Sequence, residues 1–239
     1  MGTWQILVAA FAIIGTIHII LSVLRRRRWA KDKELLCLDI GQRVGGSLSP
    51  HRSLHLLRHD HKVVIPQNGP PARLILADAA TSNDTSAETR LVVRLTFPMS
   101  SPVGFRVLLR LRHERRPGSW VDLLGLPLFE GMGRVETGNP TFDEWFSAYS
   151  AWALGFRTVI TPDVQQALLQ TADSIRALGE GARRRGLSIN LDGTQLEFTL
   201  CLPPEWLPPA ELVVEFYERA RETHRAIDEV CRQQSGMPR

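Results

Sequence analysis

Cysteine is scarce in this chain, and the little there is does not pair. Cys37, Cys201 and Cys231 are far apart and odd in number, with no C-x-x-C among them. That excludes a disulfide framework or a zinc ribbon and fits reduced thiols. Lysine is equally rare, at Lys31, Lys33 and Lys62, so arginine dominates the basic residues. Charge of one sign is missing too. Net charge is +4, but setting aside Arg25, Arg26, Arg27 and Arg28 leaves 25 basic residues against 25 acidic ones. No global bias towards nucleic acid remains. Catalytic signatures are also absent. There is no H-E-x-x-H and no G-x-S-x-G, and the glycines of Gly41 to Gly46 lack the Lys-Ser/Thr of a P-loop. No internal repeat is found. The 239 residues suffice for a real core without staples.

What the chain does have is one long apolar run. Trp4 to Leu24 holds 21 residues without a formal charge. At about 1.5 Å per helical residue this is roughly 30 Å, the thickness of a bilayer core. The basic residues follow the run, which argues against a cleaved leader. The expectation is an uncleaved anchor over 1–24 and a basic juxtamembrane collar over 25–35. The arginines place the N-terminus outside and the remainder in the cytoplasm. Trp4 and Trp29 bracket the run at the two headgroup levels. His18 lies inside it and is read as a neutral imidazole. Gly15 has no G-x-x-x-G partner.

Beyond the collar, Leu35 to Ile40 reads as a short strand or a helix end. Lys62 to Ile65 reads as a short strand, Arg73 to Leu76 as another short apolar run, and Ala80 to Glu88 as a polar loop. Leu91 to Phe97 and Phe105 to Arg112 alternate with period two, the pattern of a half-exposed antiparallel sheet. Phe156 to Ile160 reads as a further strand. Thr161-Pro162-Asp163 is a helix start: cap, proline at the first position, acid in the first turn. Asp192-Gly193 between alternating runs signals a tight hairpin. Ala210 to Gln233 is a final amphipathic helix.

The fold class expected is therefore α+β: a single N-terminal transmembrane helix, then a cytoplasmic domain with an antiparallel sheet, a D-G hairpin and two amphipathic helices. Its parts are a β-rich subdomain over 36–136, an α+β subdomain over 137–234 (helix, hairpin, helix) and a tail over 235–239. The order T-G-N-P-x-F-D-x-x-F (Thr137 to Phe146), then Thr161-Pro162, then the hairpin and a closing helix, resembles bacterial membrane-anchored proteins of unknown function. The residues that carry the resemblance are Gly138, Phe142, Asp143, Phe146, Thr161 and Pro162. It implies a bacterial source and a membrane anchor, and it carries over no catalytic residue.

His51, His55, His59 and His61 put four of the seven histidines within eleven residues. Zinc accepts imidazole nitrogen, so this cluster is the candidate metal site, although its spacing matches no known zinc motif. The bland alternative is a solvated turn. Asp143 and Glu144 are adjacent and point apart, so they make a poor acid/base pair. Trp206, between two proline pairs, is expected to pack over the end of the hairpin. The leading expectation is a non-enzymatic interaction or scaffold domain with no cofactor. Its partners would be a lipid bilayer and a protein at the cytoplasmic membrane face, and no nucleic acid. The alternatives are a metal-dependent membrane-associated hydrolase using the histidines, with zinc or another divalent metal, or a lipid or small-ligand binder.

Overall fold

A computed structural model describes residues 3–49, 60–67, 69–80, 89–111, 131–176, 186–204 and 206–236. The chain opens with one 42-residue helix, α1 (Thr3–Val44). Three strands follow it closely: β1 (Ser47–Ser49), β2 (His61–Gln67) and β3 (Gly69–Ala80). Next come β4 (Thr89–Pro98), β5 (Arg106–Leu111) and β6 (Gly133–Val135), then helix α2 (Pro140–Trp145) and β7 (Phe146–Ser150). Helices α3 (Ala153–Val159) and α4 (Pro162–Arg176) lead to β8 (Gly186–Asp192), β9 (Gln195–Pro204) and α5 (Ala210–Ser235).

The nine strands form one sheet in the order β1-β2-β3-β4-β9-β8-β5-β7-β6. Every neighbouring pair is antiparallel. The sheet draws strands from both the 36–136 and the 137–234 stretches. Alternation assigns the two faces. Leu74, Leu76, Val93, Leu95, Phe97, Phe198, Leu200, Ile189 and Leu109 point to one side and are buried. There α5 packs on them: Phe97 stacks on Tyr217 at 6.0 Å, and Phe198 meets Phe216 edge-on at 6.4 Å. The opposite face carries Arg73, Arg94 and Arg106, all exposed.

The largest correction concerns the first 24 residues. Among the described residues, no helix is long and apolar enough to cross a membrane. The single-pass anchor is overturned, and with it the placement in a cell membrane with the N-terminus outside and the domain cytoplasmic. The apolar run is the leading half of α1, which continues through the arginines without a break. The expected fold class is corrected accordingly: α1 is one continuous helix whose second half packs into the domain. Its second half buries a stripe of Lys33, Leu36, Cys37 and Ile40, which recur at helical spacing. The collar over 25–35 and the segment Leu35 to Ile40 are interior turns of this helix, so the strand reading of the latter is also wrong.

Trp29 does not flank a span. Its indole N–H donates to Asp78 Oδ1 at 3.2 Å, while Lys33 Nζ sits 2.5 Å from Asp78 Oδ2. Lys33 is fully buried and Asp78 is 17% exposed. A cation is removed from water only where a carboxylate meets it, so this pair fixes the position of α1 on β3. Arg43 adds an exposed contact to Glu211 of α5 at 2.8 Å.

Other elements differ from expectation in instructive ways. Phe156 to Ile160 is not a strand. It forms the end of α3, because Phe156 and Val159 bury one helical face. The strands β4 and β5 are not neighbours: β9 and β8 lie between them. The Asp-Gly signal is realised one residue along. Asp192 and Gln195 pair across a Gly193-Thr194 turn, with Gly193 at φ +56°. Ala80 to Glu88, apart from Ala80 itself, lies outside the described residues.

Breaking the α1–β3 contact should be costly. Lys33→Met or Asp78→Ala is expected to lower unfolding stability by about 3 kcal/mol, because either leaves a charge buried without its partner. Lys33→Met together with Asp78→Leu should recover much of that loss in the same urea titration.

Candidate functional site

The T-G-N-P-x-F-D segment proves to be a fastening device. Asn139 caps α2 by accepting from the Phe142 N–H at 3.4 Å, and Pro140 takes the first helical position. Asp143 reaches back to the Thr137 N–H at 3.1 Å, the Thr137 hydroxyl at 3.0 Å and the Gly138 N–H at 3.3 Å. Gly138 takes φ +81°, which favours glycine. Asn139 Nδ2 donates to Gln165 on α4 at 2.8 Å, and Phe142 stacks on Phe146 at 4.9 Å, both buried. Asp143 thus spends its oxygens on the backbone turn.

This device leads the chain into β7, whose end presents an exposed aromatic surface. Ser150 Oγ donates to the Arg106 carbonyl at 3.0 Å and accepts the Trp152 N–H at 3.1 Å, which turns the chain off the sheet. Trp152 has extended backbone (φ −140°), and its carbonyl accepts the Phe156 N–H at 2.9 Å, opening α3. Its indole folds back over Gly155. A Cβ there would fall 2.1 Å from Trp152 Cε3, so only glycine leaves room. Phe105 meets the indole edge-on at 5.4 Å. Trp152 is nonetheless 53% exposed and Leu154 is 65% exposed. A large aromatic side chain is therefore held in one place and left open to solvent.

The same end of the sheet carries polar groups on its other face. Arg106 Nε pairs with Asp192 Oδ1 at 2.9 Å, and Arg94 with Glu197 Oε1 at 3.5 Å. The Thr199 hydroxyl donates to Glu197 at 3.1 Å. Asn190, Asp192, Gly193, Thr194, Gln195 and Glu197 line a shallow polar depression at the hairpin turn. Each carboxylate has an arginine beside it, and the pairs are solvated, so their contribution to stability is small.

The histidines give less. His61 opens β2 opposite Leu76, whereas His51, His55 and His59 lie outside the described residues. Among the described residues, no group of three or more His, Cys, Asp or Glu is placed to hold a metal. Arg25, Arg26, Arg27 and Arg28 are exposed on α1, and Trp4 is 78% exposed. Trp206 is half-buried against the core.

His224 plays a structural part. It is buried on α5, its Nε2 lies 3.0 Å from the Pro98 carbonyl as donor, and its ring stacks on Phe97 at 5.0 Å. One turn on, Asp228 accepts the Ser100 N–H at 2.7 Å. Together they pin the end of β4 to α5. Burial pushes the His224 pKa below its usual value, with Arg225 and Arg232 adding to it and the Pro98 contact and Asp228 opposing it. Burial also raises the thiols, Cys37 to about 12 and Cys231 to about 11. Protonated buried thiols are neither nucleophiles nor metal ligands.

No protein-family model matches the chain, and no curated protein matches it. Among solved structures, the mycobacterial trehalose monomycolate transport factor A is similar over 90% of this chain and 94% of its own. The two are 14% identical with a TM-score of 0.41, a likeness too low to carry an argument about fold or function.

Two outcomes are expected. Iodoacetamide should leave Cys37 and Cys231 unmodified in the native protein and label them only on unfolding, as read by mass spectrometry. The folded-state pKa of His224 lies below its unfolded value of about 6.5. Its contribution to stability is therefore complete above that pH and lost as pH falls below it. Urea midpoints should drop between pH 7 and pH 5, and His224→Gln should flatten that drop.

Proposed function

We propose that this chain is a non-enzymatic interaction or scaffold domain that docks a protein partner through the Trp152–Leu154 surface. The observation that carries this reading is the exposed indole of Trp152, immobilised over Gly155 and against Phe105. Binding energy at protein interfaces concentrates in a few aromatic anchors. An anchor already fixed in place loses little conformational freedom on docking, which favours affinity. Leu154 extends the apolar contact, and the exposed pair Arg106–Asp192 borders the same end of the sheet, as a polar rim does.

The test is cross-linking and quantitative pull-down with the full chain, comparing wild type with Trp152→Ala and with Gly155→Ala, which would displace the indole. A stoichiometric partner should weaken about 30-fold on losing Trp152, the loss of an anchor of about 2 kcal/mol. Gly155→Ala should weaken it as well, with melting curves confirming that both variants fold. Retention of the partner at wild-type level by Trp152→Ala, or the absence of any stoichiometric partner, would sink the reading.

A further inference from the structure

The first half of α1 is not accounted for by the domain or by the Trp152 surface. The buried stripe of α1 begins at the Trp29–Lys33 contact with Asp78 and runs towards Ile40. Before Trp29 every large apolar side chain that is described is exposed: Trp4, Phe11, Ile13, Ile14, Ile17, Ile19, Ile20, Leu21, Val23 and Leu24. At about 100° per residue, those from Phe11 to Leu24 leave no gap wider than roughly 80° around the helix.

This is not the pattern of a helix that lies in a protein groove. Such a helix is apolar along one stripe and polar elsewhere. Apolar contact on all sides suits a fluid apolar medium. Two further observations agree. The Thr16 hydroxyl donates to the Ala12 carbonyl at 2.8 Å, so its hydrogen is satisfied within the helix and without water. His18 is the one ionisable side chain in residues 11–24, and Arg25, Arg26, Arg27 and Arg28 follow at once, all exposed. A cationic girdle at the base of an apolar rod matches anionic lipid headgroups above acyl chains.

We infer that the N-terminal half of α1 inserts into an anionic lipid surface, with Arg25, Arg26, Arg27 and Arg28 at the headgroups. The occupant of this unpartnered helix is thus acyl chain and not protein. Insertion requires contact with one leaflet only, whose hydrocarbon is about 15 Å deep. The Trp29–Lys33–Asp78 contact then fixes how the domain stands relative to the lipid.

The test is flotation of the full chain, diluted from detergent onto preformed vesicles of phosphatidylcholine with or without 30% phosphatidylglycerol by design. The protein should float with the anionic vesicles and more weakly with the neutral ones. Replacing the four arginines by glutamine should weaken anionic binding more than tenfold, since each contributes roughly fivefold. Ile13→Ser with Ile17→Ser and Ile20→Ser should abolish flotation while the melting transition of the domain is kept. Trp152→Ala should float like wild type, which separates this inference from the docking reading. Failure to float, equal flotation of the triple serine variant, or a defined oligomer that forms without lipid and excludes vesicles would overturn it.

Discussion

A single buried ammonium decides how this molecule is put together. Lys33 has no exposed surface, and the carboxylate of Asp78 lies against its buried charge. Trp29 holds the other oxygen of that carboxylate. The three residues weld a helix of 42 residues to the third strand of the sheet. From that weld, Leu36, Cys37 and Ile40 take their places in the core, whereas the large apolar side chains described before it, from Phe11 to Leu24, are exposed. One ion pair thus divides α1 into a half that belongs to the fold and a half that projects from it.

The rest of the domain follows from the sheet. Phe97 is its keystone, touching Phe198 on the adjacent strand and both Tyr217 and His224 on α5. Aromatic pairs of this kind add to plain burial. His224 and Asp228 then secure the chain where it leaves β4, and the Thr171 and Thr223 hydroxyls meet at 2.9 Å between α4 and α5. All these contacts lie on one face. The other face carries exposed arginines paired with acids, which add little energy, beside the buried Val92, Leu108, Ser188 and Thr199.

Local signals in the sequence were good guides where the chemistry is local. The helix start at Thr161-Pro162 is real: Thr161 Oγ1 accepts the Val164 N–H at 3.5 Å, and α4 begins at Pro162. The Asp-Gly turn and the closing helix are equally visible, since turn geometry and helical spacing need only a few adjacent residues. The misreading of Phe156 to Ile160 has the opposite cause. A five-residue apolar run has no period long enough to tell a strand from a short helix, and burial against α5 and β6 settled it. The site was hardly legible. In the sequence the histidines and Trp206 stand out, whereas the aromatic exposed at the end of the sheet is Trp152. The available signal was the glycine three residues on, which has meaning only once the indole is known to fold over it.

Composition and local pattern alone determined that the chain has no disulfide framework, alternates along its strands, turns within a residue of Asp192-Gly193 and carries an apolar run closed by four arginines. Only the tertiary structure decided what that run is. Hydropathy averages a segment and cannot register that its helix continues for another twenty residues into a domain. Strand order was likewise decided by folding: β9 and β8 intervene between β4 and β5 because pairing depends on which faces can be buried together, a property of the whole sheet. The same holds for Lys33, which reads as a solvated charge in sequence. It became the buried anchor of α1 because Asp78, 45 residues away, was brought against it.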